Sequence, residues 1–152
     1  MDESVHLSAW LGCNVNQAFK MFTNKEHLQS WLPVVENVEP KEGGKYEISW
    51  AMEKPSIGCK ILIYEPNKYL MFEWKGPADK SFMYSSQLDT QVTIYFLPID
   101  CNKMSEEQFT EVRLILTSFN DLDNDEEIKK WFEITWANAF EKLIEHVNDI
   151  FQ

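Results

Sequence analysis

The last stretch of the chain, Asp125 to Gln152, limits the fold more than any other. From Ile128 its apolar residues fall at Ile128, Phe132, Trp136, Ala139, Phe140, Leu143, Val147 and Ile150. Gaps of three and four residues mark one face of a long amphipathic helix. Asp121, Asp123, Asp125, Glu126 and Glu127 crowd its start. Carboxylates there suit the positive end of the helix dipole and cap free N–H groups. A helix of roughly 25 residues is about 37 Å long. Its aromatic stripe needs a broad apolar partner, and the middle of the chain offers one.

In chain order, Val5, Leu7, Ala9 and Leu11 alternate with His6, Ser8 and Trp10, the period of a strand. Asn14 is placed to cap a short helix with Val15, Ala18, Phe19 and Phe22 on its apolar side. Thr23, three residues before Glu26, has capping-box spacing for a second short helix carrying Leu28, Trp31 and Leu32, which Pro33 stops. Gly43-Gly44 permits a tight turn into a strand with Tyr46, Ile48 and Trp50 on one face. Further strands follow at Cys59–Tyr64, Leu70–Trp74, Val92–Phe96 and Val112–Leu116, with a turn at Glu65-Pro66-Asn67-Lys68 and a closing Pro98. Short turns between strands make antiparallel neighbours. The expected architecture is α+β: a curved six-stranded antiparallel sheet around the C-terminal helix, with two short helices after the first strand.

At 152 residues the chain is expected to form one domain, 1–152, that buries ~70% of its unfolded surface. A formal charge of −11 argues against nucleic acid and against an anionic membrane surface. Cys13, Cys59 and Cys101 are odd in number and lack close Cys or His neighbours, so neither a disulfide framework nor a zinc site is expected. Asp121-x-Asp123-x-Asp125 opens like a calcium loop, but Glu126 stands where Gly is required and Phe132 where Glu is required. No metal or cofactor is expected. The acidic start Met1-Asp2-Glu3 has no apolar run behind it, and no stretch approaches the ~20 apolar residues of a membrane helix. A cytoplasmic protein is the simplest expectation.

Several ordered motifs resemble the SRPBCC superfamily, the START-like helix-grip fold, and within it the heat-shock chaperone ATPase activator homologues. These are the helix Val15–Phe22 followed by Thr23 to Trp31, Glu42-Gly43-Gly44-Lys45-Tyr46, Gly58 leading into Ile61 and Ile63, Pro66 to Trp74, Thr110 to Leu114, and the Trp136, Phe140, Leu143 helix. One departure is Thr135 before the helix Trp, where the family often has Gly. The resemblance implies one of three roles: binding a small apolar molecule, assisting a chaperone as a partner-binding module, or small-molecule chemistry of the polyketide cyclase kind.

An apolar cavity between sheet and helix would be walled by Phe19, Trp31, Tyr46, Ile48, Trp50, Phe72, Trp74, Val92, Ile94, Leu114, Trp136 and Phe140. Tyr46, Trp50 and Trp74 each add one polar handle to such a pocket. The same rings, at ~150–250 Å² each, are also large enough to fill the space as plain core. The loop Pro77 to Asp89 exceeds the usual two-to-six-residue connection and carries Phe82, Met83 and Tyr84, a candidate lid. Arg113, the sole Arg, sits between the inward Val112 and Leu114, so alternation turns it outward beside Glu111. Glu47 and Glu73 fall on the outer face by the same rule. His6, His27 and His146 lie in separate segments, and no nucleophile elbow, His-Glu-x-x-His or phosphate loop is present. The sequence therefore names no catalytic residue.

Overall fold

A computed structural model of the chain describes residues 5–32, 34–49, 59–74, 90–99, 109–118 and 125–151. Its elements are β1 (Val5–Leu11), α1 (Val15–Thr23), α2 (Lys25–Trp31), β2 (Val34–Val38), β3 (Tyr46–Ser49), β4 (Ile61–Glu65), β5 (Tyr69–Trp74), β6 (Thr90–Ile99), β7 (Phe109–Ser118) and α3 (Asp125–Phe151). One antiparallel sheet runs β1-β7-β6-β5-β4, and β2 pairs with β3 in a second ladder. Among the described residues the expected six-stranded sheet becomes seven strands in two ladders, the addition being β2. The ladders are stitched together at the start of β3. Tyr46 N–H donates to Cys59 O at 3.0 Å, and Ile61 N–H donates to Gly44 O at 2.8 Å.

Local sequence explains the corners. Asn14 and Gln17 form a reciprocal capping box at α1: each side-chain oxygen accepts from the other's backbone N–H, at 2.8 and 3.0 Å. The cap of α2 is Asn24, whose Oδ1 accepts from His27 N–H at 3.1 Å, not Thr23 as the spacing predicts. Thr23 is drawn into α1 instead, where its hydroxyl donates to Phe19 O at 3.0 Å. Gly43 has φ +80°, and a Cβ on Gly44 would collide with the Glu39 carbonyl, so this corner requires both glycines. Asn67 takes φ 65° in the turn closed by Lys68 N–H to Glu65 O at 3.0 Å. Pro98 does not end β6, which continues to Ile99.

The core lies between the inner face of the large sheet and the helices. Leu11, Val92, Ile94, Val112 and Leu114 are fully buried from the sheet side. From α3 come Trp136, Ala139, Phe140, Leu143 and Val147. One turn further on Phe151 is half-buried against the core, whereas Ile150 is 43% exposed. The side chains of Ile128 and Phe132, and the residues Pro33, Asp121 and Asp123, lie outside what is described. Among the described residues no helix is long and apolar enough to cross a membrane.

Candidate functional site

The grip interior collects side chains from seven elements. Phe19 comes from α1, Trp31 from α2, Tyr46 and Ile48 from β3, and Phe72 from β5. Val92 and Ile94 come from β6, Leu114 from β7, and Trp136 and Phe140 from α3. All ten are buried and belong to one contiguous apolar cluster. Trp50 and the lid candidates Phe82, Met83 and Tyr84 lie outside the described residues, and Trp74 is described only as far as its backbone place in β5. Thr135 is itself buried beside Trp136.

Edge-to-face ring contacts hold the cluster in shape. Phe22 is their hub, with its ring centroid 5.1 Å from Trp31, 5.4 Å from Phe96 and 6.4 Å from Phe140. Trp136 stacks edge-on to Phe140 at 5.9 Å, and Tyr46 leans on Phe72 at 4.4 Å. Phe22 and Phe96 were legible as apolar faces of α1 and β6. Their role in joining α1 to both α3 and the sheet was not.

Two polar groups of this interior, on Tyr46 and Trp31, are engaged with backbone. Tyr46 Oη–H donates to Phe22 O at 2.5 Å, and Trp31 Nε1–H donates to Met21 O at 3.0 Å. Two carbonyls in the last turn of α1 are thereby satisfied by side chains, as buried helix ends demand. Burial pushes the Tyr46 phenol well above its usual range and the Cys13 thiol up to about 11. Neither group is therefore a base or a nucleophile at neutral pH. The rings of Tyr46 and Trp31 accordingly turn apolar surface, not hydrogen-bonding groups, to the interior.

The opposite face of the same strands is built differently. Arg113 points outward as alternation predicts, and its Nε donates to the Glu111 carboxylate. Cross-strand register sets Arg113 between Ser8 and Tyr95, and Glu111 between Trp10 and Leu97. Trp10 is 57% exposed, and Tyr95 and Leu97 are also exposed. A groove of about 510 Å³ runs past His6, Ser8, Arg113 and Ile115. Glu73 accepts from Lys60 N–H at 3.1 Å, at the edge of this face. Glu47 departs from the expectation of an open outer position: it is 6% exposed, and its carboxylate accepts from Asn37 Nδ2 at 2.6 Å. His27 and His146, 119 residues apart, meet at the α2–α3 boundary. Among the described residues no three His, Cys, Asp or Glu side chains converge to hold a metal.

Comparison with known proteins gives these features a context. Residues 13–148 match the family model described as Activator of Hsp90 ATPase homolog 1-like protein. No curated protein sequence matches the chain. Solved structures share the fold. A Mesorhizobium loti protein superposes with a TM-score of 0.75 at 21% identity, covering 98% of both chains. A protein of the dynemicin biosynthetic locus gives 0.65 at 12% identity, over 97% of this chain and 48% of that one. The Aha1 dimer from Colwellia psychrerythraea gives 0.62 at 12% identity, over 93% and 96%.

Proposed function

Because the chain belongs to the Activator of Hsp90 ATPase homolog 1-like family, we propose that it is a single helix-grip binding domain that holds a small apolar molecule between its sheet and α3. The reading places it in the cytoplasm and gives it no chemistry of its own. One observation carries it. The interior brings together large rings from α1, α2, β3, β5 and α3 whose polar atoms, at Tyr46 and Trp31, are tied to backbone carbonyls. These two rings therefore offer a guest apolar surface, the usual lining of a small-molecule site. A lipid chain or a fused aromatic system fits that surface, and a carboxylate or phosphate does not. Phe19, Ile48, Phe72, Val92, Ile94, Leu114, Trp136 and Phe140 are assigned to the walls with them, Trp50 and Trp74 to the same space, and Phe82, Met83 and Tyr84 to its lid.

The experiment is native mass spectrometry of the purified protein, with and without a panel of fatty acids, sterols and aromatic polyketides. The expected result is a one-to-one adduct that denaturation removes. A clean apo mass with no uptake from any member would mean that the rings fill the interior, and would overturn the proposal.

A second reading is favoured by the outer face. Trp10, Tyr95 and Leu97 surround Arg113 on an open sheet surface, and aromatic residues with Arg are enriched at protein interfaces. This would suit a partner-binding module of the chaperone-activator kind. Loss of chaperone ATPase stimulation in Trp10→Ala, with the interior unaltered, would decide for it. A cyclase-like enzyme is the weakest reading, because among the described residues the interior cluster holds no Asp, Glu, His, Lys or Arg side chain.

A further inference from the structure

We propose that His27 and His146 form a proton-operated latch between α2 and α3. It is closed while at most one imidazole is charged and released when both are. The geometry is specific. His27 Nδ1 stands 3.3 Å from His146 Nε2, the ring centroids are 5.5 Å apart, and both side chains are half-buried where the two helices meet. A hydrogen bond across this gap needs one nitrogen bearing a proton and the other bare. That condition holds for two neutral rings or for one neutral and one charged. A second charge puts two N–H groups face to face and turns the contact repulsive.

The charged groups around the pair stand toward solvent, and among them Asp149 acts on His146. From the flanking elements, Lys20 of α1, Glu36 of β2 and His6 of β1 are exposed. On the two helices themselves, Lys25, Glu26, Lys142, Glu145 and Asp149 are exposed as well. Burial, and then the neighbouring His27, hold His146 below its ordinary value of 6.5, while Asp149 pulls the other way. A metal ion is a poorer occupant, since no third ligand converges with the two imidazoles among the described residues. The sign follows from linkage. A base whose proton affinity is lowered by folding contributes stability above the unfolded value, and that contribution is lost as pH falls below about 6.5. α2 is the element that yields. It has seven residues and carries Trp31 into the core, whereas α3 has 27 and packs along the sheet.

The test uses the ligand-free full chain, so it stands or falls apart from what the interior binds. Histidine ring shifts are followed by NMR, and amide hydrogen exchange across α2 is measured from pH 7.5 to 5.0 and corrected for intrinsic rates. The expected result is a several-fold loss of α2 protection on acidification, with β6 and β7 unchanged. In His27→Gln the loss disappears and the His146 titration moves up toward the ordinary range. His146→Gln likewise removes the loss. Protection of α2 that ignores pH in the wild type would overturn the latch, as would a His146 titration unmoved by His27→Gln.

Discussion

The two faces of β1, β7 and β6 are made from the same strands in the same register, yet they have opposite fates. On the inner face Leu11, Val92, Ile94, Val112 and Leu114 are fully buried under α1 and α3. On the outer face their immediate neighbours Trp10, Arg113 and Tyr95 stand in solvent. Period two accounts for the split, since a single backbone presents one side to each environment. Aromatic content alone therefore tells little about role. A ring at Trp136 holds the fold together, and a ring at Trp10 is free to meet something else.

The largest blow to that contrast comes from the inside. Trp136→Ala should cost about 3–5 kcal/mol, the usual cost of deleting a buried Trp, and lower the melting temperature by on the order of 10 °C. Thermal unfolding by circular dichroism measures it. Tyr46→Phe keeps the ring and removes only the hydroxyl that Phe22 O accepts, stranding a buried carbonyl. The expected loss is ~1–3 kcal/mol by urea unfolding, with the slope unchanged. The smallest effect lies outside. Trp10→Ala should stay within about 0.5 kcal/mol of the wild type, as exposed substitutions do. A fall comparable to that of Trp136→Ala would show the outer face to be structural and erase the distinction.

The sequence made much of this contrast legible, through periodicity. Alternation put Arg113 outward and Val112 and Leu114 inward, and three-four spacing chose the buried face of α3 from Trp136 to Val147. What escaped notice did so for physical reasons. β2 hides because a register shift between Val35 and Asn37 breaks its alternation, so Val35 and Val38 turn inward three residues apart. Thr23 and Asn24 both suit a cap, and the choice depended on Thr23 finding the Phe19 carbonyl, which spacing does not reveal. Alternation gave the side on which Glu47 lies but not its burial against Asn37. The His27–His146 contact joins segments that only the folded chain brings together. The candidate walls could be named one by one, whereas the engagement of Tyr46 and Trp31 with the end of α1 required coordinates.

The central claim is that a guest enters the inner side of the sheet. Methyl NMR of isoleucine, leucine and valine groups, recorded during titration with a ligand that native mass spectrometry has identified, addresses it most directly. The account predicts shifts concentrated at Ile48, Val92, Ile94 and Leu114, with Leu97 and Ile115 silent. Shifts confined to Leu97 and Ile115 would contradict it and assign the binding surface to the outer face.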